Sequence, residues 1–296
     1  MTTLTAPQAS QLFRDAPHDL IDVGEGAAAY RRVGAGPDVL FVHGWPASSA
    51  TFRALLPFLT AHVTCHLVDL PGAGHSQFTR ASTISVAQHI ESVRRIVDAL
   101  ELEQYAVVAH DSGGMIARHA LAGDPRMRAM VLVDTEQPQG LTWRFKQFLV
   151  MAHTPGFEHV LAWAANHKGL RKNKLLLGDA FADRSLLAGE FEEFFLAPLR
   201  DNPERRWAAG QLIKSFDTAH VYELAEIHQR ITVPVQLVWG ADDPFFPVEW
   251  AQEMVETFAD ATLRVVPGGK LFVHEEMPED VSEVVLSAVC GDDLLG

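Results

Sequence analysis

Short β-branched runs alternate with longer stretches of helical period along most of this chain, and that alternation constrains the fold more than any other feature. It is the pattern of a mainly parallel sheet with helices on both faces, because parallel neighbours need a crossover long enough to hold a helix. Strands are expected at His18 to Val23, Ala28 to Val33, Val39 to His43, Val63 to Asp69, Tyr105 to His110, Met130 to Asp134, Val233 to Trp239 and Thr262 to Val266. The first two are joined by glycine-rich residues and read as a hairpin, so the sheet should be mixed at that edge.

Between Asp134 and about Asp217 the rhythm stops. This stretch has no good strand, is rich in Phe, Trp, Leu and Ala, and breaks at His153-Thr154-Pro155-Gly156 and at Leu177-Gly178-Asp179. The chain is expected to leave the sheet, build a helical layer over 137–217 and return, so that 1–136 and 218–296 form one core. The 296 residues are 48% hydrophobic, which suffices for a sizeable buried core.

Charge narrows the partners. With 38 acidic against 24 basic side chains the net charge is −14, which disfavours nucleic acid and anionic membrane surfaces. Two cysteines, Cys65 and Cys290, give no disulfide framework. No signal-like leader or 18-residue apolar run occurs, and the reading is a cytoplasmic protein, monomer or homodimer, acting on a small molecule without metal or cofactor.

The most informative segment is Tyr105-Ala-Val-Val-Ala-His-Asp-Ser-Gly-Gly-Met-Ile-Ala-Arg-His119, a buried-strand pattern turning sharply into a helix pattern. It fits small-x-nucleophile-x-small with Ala109 and Gly113 as the small residues and Asp111 at the apex. Placing Ser112 at the apex would put His110 at a small position, and that frame is rejected. Asp111 also reads as a plain N-cap of the helix beginning near Gly114.

Two further segments weigh against the plain cap: Phe41-Val-His-Gly-Trp-Pro46 after one strand and Asp69-Leu-Pro-Gly-Ala-Gly-His-Ser76 after the next. With these the sequence resembles the α/β-hydrolase superfamily, in the branch of epoxide hydrolases and haloalkane or haloacetate dehalogenases with an aspartate nucleophile. The resemblance runs from about Asp22 onward. It implies a mostly parallel eight-stranded sheet flanked by helices, with an inserted helical cap, and oxyanion-hole donors at Trp45 and Ser112. His43 is expected to organise its loop rather than react.

An aspartate at this position has a chemical reason. Serine attacking a saturated carbon would leave an ether, whereas a carboxylate leaves an ester that activated water can cleave at its carbonyl. The resemblance puts the triad acid at Asp243 in Gly240-Ala-Asp-Asp-Pro-Phe-Phe-Pro247, with Asp242 as a turn residue, and leaves Asp134 or Glu136 as competitors. The base is harder to assign. In Val266-Pro-Gly-Gly-Lys-Leu-Phe-Val-His-Glu-Glu-Met-Pro-Glu279 the family's usual position holds Leu271, and His274 follows three residues later. Three readings stand: His274 serves through a shifted backbone, the hydrolytic step is naturally impaired, or Leu271 is an engineered replacement.

Leaving-group chemistry separates the branches. Epoxide hydrolases donate protons from lid tyrosines, yet Tyr30, Tyr105 and Tyr222 all lie outside the helical insertion; Tyr222, with His153 or His167, is the candidate donor set. Halides need N–H donors, for which Trp45, Trp143 and Trp163 are available. Arginines for a haloacid carboxylate are absent beside Asp111, and Arg118 lies more than a turn beyond. The leading expectation is a cofactor-free hydrolase that opens an epoxide on a small uncharged substrate. A haloalkane or haloacid dehalogenase is the alternative, and a noncatalytic or ligand-binding relative lacking the base is the third.

Overall fold

The interior strands are continuous apolar runs because both faces of a parallel sheet are covered. In the computed structural model, which describes residues 3–17, 19–173 and 177–291, Asp38–Val42 (β3), Thr64–Asp69 (β4), Tyr105–His110 (β5) and Met127–Val133 (β6) form such a centre. Every residue of β4 and β5 is buried. Asp19–Asp22 (β1) and Ala27–Gly34 (β2) precede them, while Val235–Gly240 (β7) and Ala261–Val266 (β8) follow.

All eight expected strands are present, in the order β1-β2-β4-β3-β5-β6-β7-β8. The β1/β2 hairpin is antiparallel, β2 also runs antiparallel to β4, and the remaining pairs are parallel. His18, the expected start of the first strand, lies outside the described residues. The sixth strand begins at Met127 rather than Met130, and the seventh begins at Val235, immediately after Pro234, which has no N–H to give a ladder.

Because β4 lies on one side of β3 and β5 on the other, the sheet reverses its direction of winding at β3, where α/β sheets bind ligands beyond the strand ends. The loops at that edge carry Trp45, Asp111, Glu136, Asp243 and Leu271.

Between β6 and β7 the described residues contain helices and no strand. Thr142 caps Trp143–Ala152 by accepting from the Phe145 N–H, and Gly156, at φ 83°, turns the chain into Phe157–Asn166. Asn202 accepts from Glu204 and Arg205 to start Pro203–Lys214. Helices continue past the expected end at 217: Ala219–Tyr222 and Leu224–His228 pack on the helix Ser112–Leu121 that follows β5. Among the described residues no helix is long and apolar enough to cross a membrane.

The end of β4 is tied to the N-terminal helix Ala6–Arg14 by one buried ion pair. Asp69 accepts from the Ser49 N–H and Oγ, the His75 N–H and Arg31 at 3.3 Å, and Arg31 also donates to the carbonyls of Leu12 and Asp15. These donors hold the Asp69 carboxyl below its usual range against the opposing effect of burial. Arg31→Met strands that carboxylate in the core, so the variant should lose about 3 kcal/mol in urea unfolding at neutral pH. Asp69→Asn in the same background should recover part of that loss.

Candidate active site

Asp111 occupies the junction between β5 and the helix Ser112–Leu121 with φ 52° and ψ −140°. Left-handed φ costs energy for a residue with a Cβ, and it is retained where the surroundings enforce it. The Asp111 side chain makes no N-cap bond to the N–H groups of Gly113 or Gly114, so the plain N-cap reading does not describe it. Gly113 has no room for a Cβ, which would strike the carbonyls of Val42 and His43. Gly44 must likewise lack one, because it would meet the Asp111 carboxylate.

The turn aims the carboxylate at the loop after β3. Asp111 Oδ2 accepts from the Trp45 N–H at 2.8 Å and from Ser112 Oγ at 3.3 Å, and the carboxylate also accepts from the Ser112 N–H. Trp45 through its N–H and Ser112 through its hydroxyl therefore meet at Oδ2. His43 stays behind this loop, bonded through Nδ1 to the Gly44 carbonyl and through Nε2 to the Leu70 N–H.

Above Asp111 lies an apolar cavity of about 400 Å³, a size suited to a small molecule. Phe148, Phe157 and Leu161 from the helical stretch line it, opposite Ile116, Phe246 and Leu271. Among the described residues the titratable side chains on its wall are Asp111, Glu136 and Arg144. Arg144 is paired with Asp179 at 2.6 Å, and Lys270 pairs with the same carboxylate at 2.7 Å. Burial, then the Glu136 carboxylate, pushes the Asp111 carboxyl well up, against the pull of the N–H donors. Among the described residues no cluster of His, Cys, Asp and Glu has the makings of a metal site.

The structure does not bring Asp111, Asp243 and His274 together as a triad. His274 is fully buried in the short helix Val273–Glu276, which turns its ring away from the cavity. Its Nε2 bonds Thr51 Oγ1 at 2.7 Å, and the Thr51 hydroxyl donates to Glu275, itself paired with Arg53. Its Nδ1 has no partner. The ring packs on His110 at 4.2 Å between centroids, and His110 Nε2 bonds the Leu271 carbonyl. Burial holds both rings neutral, His110 pushed down to about 3 and His274 well below its usual value.

Leu271 lines the cavity where the family pattern expects the base, and no described histidine borders that space. Behind it two acids remain. Asp243 Oδ1 accepts from the N–H groups of Phe245 and Phe246, and Asp134 Oδ1 from that of Gly240, while both Oδ2 atoms are buried without partners. Burial raises Asp243 to about 7, and burial together with Asp243 raises Asp134 well above the usual range.

Of the leaving-group candidates, Trp143 borders the cavity with half its surface exposed. Trp163 is exposed and packs on His167. Tyr222 is exposed, its ring against Gly140, and His153 bonds the Leu149 carbonyl on the surface. The indole N–H of Trp45 donates to the Ala209 carbonyl. The buried cluster of Thr51, His110 and His274 carries no local sequence signal, because its members come from three separated segments.

This fold and site define an α/β hydrolase. The chain matches the alpha/beta hydrolase fold family over residues 37–278 and belongs to it. It is 25% identical to haloalkane dehalogenase 2 of Mycobacterium tuberculosis (strain ATCC 25618 / H37Rv) over 278 residues, 90% of this chain and 92% of that protein. Two solved structures share the fold. Haloalkane dehalogenase DbeA from Bradyrhizobium elkani USDA94 superposes with a TM-score of 0.75 at 21% identity, over 94% of this chain and 99% of that one. The epoxide hydrolase CorEH does so with a TM-score of 0.77 at 17% identity, over 93% and 99%.

Asp243 supplies a test of the unpartnered acids. A carboxyl raised in the folded state stabilises below its unfolded value of 3.8, and that contribution is lost as pH rises through about 7. Asp243→Asn keeps an acceptor for Phe245 and Phe246 and removes the charge. By chemical denaturation at pH 8 it should be more stable than wild type by about 2 kcal/mol, with the gain vanishing near pH 4.

Proposed function

We propose that Asp111 attacks a saturated carbon of a small uncharged electrophile, an epoxide before a halide, and forms a covalent ester beneath a lid made by residues 137–217. The observation that carries this is the Asp111 carboxylate, held at a strained turn on the floor of an apolar cavity with one oxygen engaged by Trp45 and Ser112.

The geometry divides the labour between the two oxygens. Oδ2, surrounded by donors, becomes the ester carbonyl oxygen, while Oδ1 is left to attack. The same N–H groups then face the oxygen that gains charge when water adds to the ester carbon. An apolar wall strips water from the carboxylate before reaction. Pairing of Arg144 with Asp179 removes a cation that a substrate carboxylate would need, which favours an uncharged substrate.

Likeness to haloalkane dehalogenase 2 supports the same first step on a haloalkane. The Trp45 indole is already committed to Ala209, which weakens the case for a halide cradle and leaves the epoxide as the preferred substrate class. Leu271 in place of a histidine implies that hydrolysis is the slow step.

Reaction with styrene oxide in oxygen-18 water, followed by intact mass and analysis of the Asp111 peptide, tests the reading. The adduct should form on Asp111 and accumulate before it decays, with label entering the Asp111 carboxylate on turnover. Failure of both styrene oxide and a matching alkyl bromide to modify Asp111 would sink the proposal. His274→Gln should leave formation and decay of the adduct within about twofold of wild type, while stability falls by about 1–3 kcal/mol through the lost Thr51 bond. A collapse of adduct decay in that folded variant would return His274 to the mechanism.

A further inference from the structure

Both steps of the reaction at Asp111 need a proton carrier. Opening an epoxide leaves an alkoxide, and cleaving the ester requires water to lose a proton. Among the described residues the cavity wall holds one carboxyl besides Asp111: Glu136, just beyond β6 and fully buried. Its Oε2 lies 3.1 Å from Thr135 Oγ1, whose single proton goes to the closer Asp111 carbonyl, and its Oε1 has no partner.

The surroundings fix Glu136, and the nearby Arg118 charge favours its carboxylate against the opposing effect of burial. Arg118, fully buried beneath, donates to the Glu136 backbone carbonyl at 2.7 Å, to Thr135 Oγ1 at 2.9 Å and to the Gly114 carbonyl at 3.0 Å. Its remaining nitrogen meets His228 Nε2 at 3.0 Å. The guanidinium thus holds the backbone at Glu136 and spends no hydrogen bond on the carboxylate. Thr135 in turn donates to the Asp111 carbonyl at 2.8 Å, so the same network braces the elbow.

Two carboxyls on one apolar wall do not both ionise readily, and they divide a proton according to their donors. Asp111 has two N–H groups and a hydroxyl on its carboxylate. Glu136 has a bare oxygen. The pair thus holds one proton between its two carboxyls, and the reaction draws on the form with the charge on Asp111 and the proton on Glu136 Oε1.

We infer that Glu136 is the catalytic acid and base for the reaction at Asp111, in the role that neither a lid tyrosine nor His274 fills. The inference rests on Asp111 being the nucleophile. In the first step Asp111 Oδ1 bonds to the ring carbon, the carbon–oxygen bond of the epoxide breaks, and the ring oxygen takes the proton from Glu136 Oε1. The products are a hydroxyalkyl ester and a Glu136 carboxylate. In the second, that carboxylate removes a proton from water as the water oxygen bonds to Asp111 Cγ and the carbonyl electron pair moves onto Oδ2, facing Trp45 and Ser112. When the Cγ–Oδ1 bond breaks, the diol leaves with the proton from Glu136. Asp111 is then the protonated acid, and passing its proton to Glu136 restores the starting pair. A halide needs no proton to depart, so this arrangement matches an oxygen leaving group.

Adduct formation and decay with styrene oxide, followed by intact mass in wild type, Asp111→Asn and Glu136→Gln, separate this inference from the one it rests on. Asp111→Asn should form no adduct. Glu136→Gln should slow both formation and decay by about 10²-fold or more, with the adduct still on Asp111. Wild-type formation should fall as rising pH removes the proton that Asp111 and Glu136 share, a fall absent from Glu136→Gln. An adduct that persists in Asp111→Asn overturns the nucleophile, and Glu136 with it. A silent Asp111→Asn beside a Glu136→Gln with wild-type rates overturns Glu136 alone. Should Glu136→Gln fail to fold, the wild-type pH profile decides, and a formation rate that never falls as pH rises across the range in which the protein stays folded rejects Glu136 as the acid.

Discussion

The left-handed backbone at Asp111 is the constraint around which the rest of the site is arranged. A residue with a Cβ at φ 52° is held there by what surrounds it. Here the Asp111 N–H donates to the Asp134 carbonyl, and its own carbonyl accepts from the Gly114 N–H and the Thr135 hydroxyl. Gly44 and Gly113 leave the space that the turn and its carboxylate occupy. The result is a carboxylate presented above the sheet edge with one oxygen already among N–H donors.

The second organising fact is the low polarity of the space that Asp111 faces. Apolar walls raise the cost of every charge on them, so each ionisable group is either paired, as Arg144 is with Asp179, or pushed toward its neutral form. Asp111 and Glu136 share this environment, and each is pushed up by burial. Behind Leu271, Asp134 and Asp243 retain the backbone donors of an acid site with no histidine between them and the cavity. Such a pair is costly for the fold, because each carboxyl is buried with one oxygen unpartnered.

Much of the fold was legible locally. Buried parallel strands need continuous apolar runs, so β3 to β6 stood out, and the elbow was visible because its small residues bracket the apex at fixed spacing. Boundaries shifted where ladder bonding decided them, as at Met127 and Val235. The helical stretch was visible from its lost alternation, although its last turns, Leu224–His228, proved to pack on the helix following the elbow. His274 could not be placed from the sequence because a short helix rotates it toward Thr51, a contact across 223 positions.

The sequence by itself determined the alternating α/β order, the apex at Asp111, the glycine-bearing loops that approach it and the leucine at the usual position of the base. These follow from spacing and residue size, which act over a few positions. Only the tertiary structure decided that His274 turns inward against His110, that Trp45 commits its indole to Ala209, and that Glu136 shares a cavity with Asp111. Those facts depend on which loops the sheet edge brings together and on which charges the burial leaves unpaired, and no local pattern encodes either.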